Sequence, residues 1–359
     1  MKISVDDVKR LRSELRNAMP QEAFKPQPLS GVIALALVPV EAALMWAIAS
    51  GRLPWWACLL ISFALGQMIT TMGLAAHDAL HHSVFRSRVL EDVLGWVGFA
   101  PFLVTPGHWR AWHVQAHHSA ANVHDRDPDI LPRQKEWLAQ RFPKLFHAIS
   151  PGSRTWLSYI SFSFVFSGQG QAFLWHHSSK PELQHVKMNR TKERLLTVLL
   201  MLGWVTVGWA MGPRAALYAL ILPFIFGNIT LMVYIATNHW MQPASEEIDN
   251  PFVNTASVET HPVLNWLHLN FSYHQEHHIF PAMNSRFAPL LRQHLRALNP
   301  EASIVYPHLH ALRTIYGRPA LYGKDGHTLV DPTGTRTVST TELRRRLEAP
   351  AMAPVEVES

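Results

Sequence analysis

Four apolar stretches, residues 31–50, 55–76, 195–212 and 215–236, approach or exceed the roughly 18 to 20 residues an α-helix needs to cross a hydrocarbon core. A chain carrying four of them is constrained first by the bilayer, where every backbone N–H and C=O must be satisfied within its own segment. Arg52-Leu53-Pro54 and Pro213-Arg214 leave room only for tight turns, so the stretches pair as two hairpins. The expected fold is an all-α integral membrane protein, with four transmembrane helices in two hairpins.

Composition agrees, since 48% of the 359 residues are hydrophobic and 16% are charged. The charges are unevenly placed. The segments before residue 31, between the hairpins and after residue 236 hold 6, 14 and 10 Lys/Arg, whereas each turn holds one. By the positive-inside rule both termini and the middle segment are expected on the cytoplasmic side of a multi-pass protein. A basic face against anionic lipid accounts for the net charge of +6, so no nucleic-acid partner is called for.

The chain then divides into a cytosolic N-terminal amphipathic segment (1–30), a membrane domain (31–300) whose cytosolic cap comprises 77–194 and 237–300, and a cytosolic C-terminal tail (301–359). Ile3, Val8, Leu11 and Leu15 recur at helical spacing, which predicts an amphipathic helix lying on the membrane surface. No cleavable signal pattern opens the chain, and the single cysteine, Cys58, falls within the second apolar stretch. Residues 93–104 are too few to span and 156–175 are interrupted by Ser, Gly and Gln, so both are expected to be interfacial or re-entrant. From Tyr316 onward Gly, Pro, Thr and charges predict a loosely ordered tail.

The 22 histidines cluster. "HDALHH" holds His77, His81 and His82; "HVQAHH" holds His113, His117 and His118; "HQEHH" holds His274, His277 and His278. Random placement would give roughly 0.2 occurrences of such a pattern, so chance is a poor explanation. The adjacent pair His176-His177 lacks an upstream partner and reads as interfacial.

On a helix, residues three and four apart share a face, so His77 with His81, His113 with His117, and His274 with His277 and His278 can aim at a common point. His82 is five residues from His77 and about 140° round the helix, which favours His81 as the ligand. Eight histidines exceed the four that one structural zinc takes, which points to two metal ions. Imidazole suits Zn, Cu, Fe and Ni alike, so ligand type alone does not name the metal. Four crossings put all three boxes on one side of the membrane. His239, where the fourth stretch leaves the membrane, is a ninth candidate.

Asp78, Asp125, Asp127, Asp129 and Glu276 accompany the boxes, and ligating histidines commonly pass their second N–H to a carboxylate. Support of that kind is expected of Glu276; for the three aspartates of "HDRDPD" a simple polar turn is the alternative. Asn238 and Asn270 are candidates to orient a ligand or hold a water, with helix capping as the alternative for Asn270. Glu41 and Gln67, polar groups within the spans, either line a tunnel or join helices.

"HDALH", "HVQAHH" and "HQEHH", with the longer "HDALHHSVF" and "HQEHHIFP", resemble the three histidine boxes of the integral-membrane fatty acid desaturase family. The resemblance runs over about residues 31–296. It implies four transmembrane helices beneath a cytosolic cap that holds a nonheme di-iron site of two Fe ions, with O2 as co-substrate. By motif position the ligands would be His77, His81, His113, His117, His118, His274, His277 and His278, and His239 would match an extra histidine seen in some members. No other side chain is required as acid, base or nucleophile.

The implied partners are an acyl substrate carried on a lipid, coenzyme A or an acyl-carrier protein, the membrane lipid itself, and a separate electron donor such as a ferredoxin or cytochrome. The last follows because no His-Pro-Gly-Gly signature of a cytochrome b5-like module occurs. The resemblance implies introduction of a carbon-carbon double bond. A hydroxylase or acetylenase of the same membrane di-iron fold is the nearest alternative. A histidine-rich metal transporter is the alternative of another class, although it would place its ligands nearer mid-membrane.

Overall fold

A computed structural model describes residues 5–244 and 250–348. Four helices are long and apolar enough to cross a membrane: Leu29–Ala49, Trp55–Leu80, Arg190–Met211 and Pro213–His239. Prolines set their starts, Pro54 immediately before the second and Pro213 opening the fourth, where a missing N–H costs nothing. Arg214 donates to the carbonyls of Gly51 (3.3 Å) and Leu53 (2.6 Å), tying the two turns together at one end of the bundle. The second and fourth helices run past their apolar stretches to Leu80 and His239 at the other end. Histidine is thereby carried out of the apolar zone on rigid helices.

The second and fourth spans form the centre: 56% and 44% of their most apolar stretches are buried, against 11% and 6% for the first and third. A Cβ on Gly66 would lie 2.5 Å from Phe226 Cβ, so only glycine permits this approach. Gln67 donates to Thr230 Oγ1 (3.1 Å) and lies 3.1 Å from His268 Nε2, which makes it a link between helices. Glu41 stands half-buried on the first span.

The shorter oily segment folds back. Arg88–Phe102 and Pro106–His117 meet at 90°, the break marked by Leu103 at φ 63° and by Pro106. Its start packs at Glu91, beside His82, and its end reaches His113, beside His77, so both ends lie at the histidine end of the bundle. Residues 156–175 form a 3₁₀ helix, Trp156–Ser163, and a helix, Val165–Trp175, neither of spanning length.

Two expectations are corrected. The N-terminal helix Val5–Ala18 does not offer its apolar stripe to the bilayer: Val8, Leu11 and Leu15 are buried with Ile279, Met283, Leu291 and Leu295 of the cap. Its hydrophobic periodicity was legible, but which apolar surface it meets depends on a partner helix, Ala288–Leu298, distant in sequence. Ile3 lies outside the described residues. The C-terminal region is ordered as far as Glu348.

There, strands Leu321–Tyr322, Thr328–Val330 and Thr337–Ser339 form an antiparallel sheet followed by helix Thr340–Glu348. Val305–Pro307 pairs in parallel with Ser257–Glu259, Val258 opposite Tyr306. Tyr306, Ile315, Tyr322, Leu329, Leu343 and Leu347 join the main core, and Tyr322 donates to Gln242 O (2.6 Å) just beyond the fourth span. These few apolar residues, spaced among turn formers, anchor a region whose average composition reads as tail. Residues 349–359 of that tail lie outside the described residues.

Candidate metal centre

The three boxes and His239 converge on one cluster at the C-terminal end of the second and fourth long apolar helices. Box one ends its helix: Leu80 is the last helical residue, His81 turns into the cluster and His82, at φ 65°, swings out. The His82 side chain is 58% exposed and pairs with Glu91 (2.6 Å). His81 is therefore brought to the cluster and His82 is not.

Box two lies on a π-helix, Arg110–His117. The His118 N–H donates to the His113 carbonyl five residues back (3.0 Å). On an α-helix residues five apart diverge by about 140°. The wider turn instead sets His118 Nε2 3.0 Å from His113 Nε2. Such π turns recur at functional sites. Box three is an α-helical turn, His274–Ile279, whose His277 points to one lobe of the cluster and His274 and His278 to the other.

The cluster has two lobes. Nitrogens of His77, His81, His113, His118 and His277 lie within 4.8 Å of one another, as do those of His117, His239 and His278. His274 completes the second lobe, its Nε2 2.8 Å from His239 Nε2 and 3.3 Å from His278 Nε2. In the first, His77 and His113 meet at 3.1 Å and His118 and His277 at 3.0 Å, all through Nε2. Neutral imidazoles facing each other cannot all be satisfied, because each offers one donor and one acceptor. The buried His81 Nε2 has no hydrogen-bond partner among the described residues. Nine facing imidazoles, in groups of five and four, could hold metal ions.

Carboxylates orient two of the rings from behind. Asp78 Oδ1 lies 3.0 Å from His77 Nδ1, while its Oδ2 accepts from Ser285 Oγ (2.8 Å). Asp127 Oδ1 lies 2.9 Å from His117 Nδ1, and its other oxygen accepts from the Asn122 N–H (2.7 Å). The Asp129 carboxylate accepts from Trp112 Nε1 (2.7 Å) and approaches His117 at 3.7 Å. So Asp127 and Asp129 do more than form a turn, whereas Asp125 is 59% exposed. Ser285 and Asn122 were not legible as site residues, since nothing in their local sequence marks them. With Asp127→Asn, metal affinity is expected to fall about 10- to 100-fold, measurable by competition with a chelator.

Glu276 is corrected. Its carboxylate accepts from Ser257 Oγ (2.5 Å) and from Arg292 Nε (2.6 Å), so it locks the box-three helix to the following helix. Asn270 donates to Ser285 O (3.3 Å) in a left-handed turn, while the Asn238 amide is buried. His176 and His177 stay outside the cluster.

Burial, reinforced by neighbouring imidazoles, holds His81, His113, His118, His274, His277 and His278 well below the ordinary histidine value. They stay neutral, the form that binds metal. As pH falls below about 6.5 the unfolded chain takes up protons that these folded sites refuse, so folded stability is lost with acidification. Metal-free protein should therefore show a thermal midpoint that drops between pH 7 and pH 5; a flat profile would contradict the buried neutral state.

Beside the cluster an apolar cavity runs between the second and fourth spans, walled by Gly73, Leu74, Phe99, Trp109, Leu231 and Phe271. It is bordered at the cluster by His77, His113, His117, His239 and His274.

Sequence comparisons agree with this architecture. The family model described as fatty acid desaturase matches residues 53–310. The omega-6 fatty acid desaturase of Spinacia oleracea chloroplasts is 22% identical over 293 residues, covering 77% of this chain and 62% of that protein. The acyl-lipid (9-3)-desaturase of Physcomitrium patens is 27% identical over 232 residues, 59% of this chain and 42% of that one. Fatty acid desaturase 3 of Homo sapiens is 25% identical over 283 residues, 72% and 60%. The chain thus spans between two fifths and about three fifths of the length of these relatives. With a matched region that takes in the second hairpin and all three histidine boxes, the chain belongs to the fatty acid desaturase family.

Proposed function

We propose that this chain introduces a carbon-carbon double bond into an acyl chain, using O2, two histidine-held Fe ions and electrons supplied from outside. The observation that carries the reading is the meeting of an apolar cavity with a two-lobed histidine cluster. His77, His81, His113, His118 and His277 would hold one ion; His117, His239, His274 and His278 would hold the other. Bound there, iron would supply the activation of O2 needed to remove hydrogen from an unactivated methylene.

The protein's own contribution is placement. Asp78 and Asp127 fix the ring orientations of His77 and His117. Trp112, held by Asp129, and Phe271, packed 5.4 Å from His77 and 4.8 Å from His274, set where a chain can lie and exclude water from it. The balance is two hydrogens lost from adjacent methylenes, O2 reduced to two waters, and two electrons and two protons taken up. Those electrons would come from a carrier of ferredoxin or cytochrome class. The acyl group would arrive on a lipid, coenzyme A or an acyl-carrier protein.

The cluster would face the cytoplasm. Thirty of the 32 Lys/Arg lie outside the hairpin turns, in segments at its end of the bundle, and this bias supports the orientation. Expression in a host lacking the activity, followed by mass spectrometric location of a new double bond, tests the proposal. A hydroxylated product without an alkene would overturn it in favour of oxygen insertion by the same fold, and a triple bond would favour acetylenation.

A further inference from the structure

If an acyl chain fills the apolar cavity, dioxygen and water need another way to and from the cluster. A second cavity provides it. His77 and Phe271 border both cavities, so the two are separated by little more than those two rings. The second also touches Asp78 and His277, on the face of His77 turned towards its carboxylate partner. We propose that this second cavity is the passage by which dioxygen enters and water leaves while the acyl chain is bound; the assignment rests on the function proposed above.

The lining of this cavity takes in both half-buried residues and residues of the cluster. Leu269, Asn270, Tyr273 and Ser285 at its rim are half-buried, whereas Met283 and Ala288 deeper in are buried. Leu269, Met283 and Ala288 offer dioxygen an apolar wall, and Asn270 and Ser285 offer water hydrogen-bonding groups.

The rim is held open by the backbone. Leu269 (φ 51°) and Asn270 (φ 60°) are consecutive left-handed residues, a conformation that side chains other than glycine rarely adopt and that recurs at functional sites. The Asn270 N–H donates to Asn265 O (2.7 Å) and its amide to Ser285 O (3.3 Å), fastening one side of the mouth to the other. The Tyr273 ring is fixed by the Arg292 guanidinium, 3.8 Å from its centroid, and Arg292 is itself held by Glu276. Met283 and Ala288 are the buried apolar residues of the lining.

Nuclear magnetic resonance of methyl-labelled methionine in the detergent-solubilised, full-length protein tests this under dioxygen pressure. Met283, 4% exposed, should show strong paramagnetic relaxation enhancement and Met72, buried at 0% exposure, should not. Ala288→Leu should suppress the Met283 response and raise the KM for dioxygen at least about fivefold with the KM for acyl substrate unchanged. Equal responses at Met283 and Met72 in the wild type would overturn the passage, whether or not the variant folds. So would Ala288→Leu with an unchanged thermal midpoint and an unchanged KM for dioxygen. The methionine measurement needs no turnover: a responsive Met283 in a wild type that forms no alkene supports the passage and refutes the assigned chemistry.

Discussion

On the function proposed above, replacing His118 with alanine is expected to lower bound iron from two ions per chain to one or none and to cut alkene formation more than about 100-fold, beyond what loss of a supporting carboxylate costs. His118 is the hub of the five-histidine lobe, its Nε2 3.0 Å from both His113 Nε2 and His277 Nε2. No neighbouring imidazole can replace it, because the others in that lobe are already turned to the same point. His82→Ala is the matched control, since that ring is 58% exposed and turned away from the cluster onto the buried Glu91 carboxylate. It should leave iron content and activity within about twofold, because the ring reaches neither lobe. Elemental analysis of the purified variants checks both, and iron loss in His82→Ala alone would move the box-one ligand by one residue.

The second large effect is expected at Glu276→Ala. The carboxylate is fully buried and its partner Arg292 has a side chain only 9% exposed. Removing one member of a buried ion pair leaves the other charge without compensation, at a cost of about 3–5 kcal/mol. Arg292 would keep its contact with the Tyr273 ring, but that interaction does not neutralise it. Thermal unfolding in detergent should register the loss, and Glu276→Gln, which keeps an acceptor for Arg292 and Ser257, should lose less. Below its lowered midpoint Glu276→Ala should still retain two ions per chain. Iron loss from folded Glu276→Ala would show that the residue supports the metal after all.

Much of the site was legible because histidine boxes obey a local rule: residues three or four apart share a helical face. That rule brings His77 and His81 together, and the structure agrees. It was insufficient for box two, where a π turn brings His113 and His118 together across five residues. It was also silent on Glu276, whose carboxylate sits among the boxes in sequence but faces Arg292 in space. Asp127 and Asp129 could be read either way from a polar turn, and only the fold shows their carboxylates near His117.

What the sequence by itself determined is the part governed by length, periodicity and charge. Apolar stretches long enough to span must be helical in lipid, and two short turns pair them. An even number of crossings would then deliver the boxes to one side. What only the tertiary structure decided is how groups distant in the chain meet: the division of nine imidazoles into lobes of five and four, Ser285 on Asp78, the N-terminal helix on the cap and not the bilayer, and the ordered strands beyond Tyr316. The physical reason is that a helix and its faces follow from neighbours in sequence, while a hydrogen-bond partner or a packing surface is chosen by what the completed core leaves available.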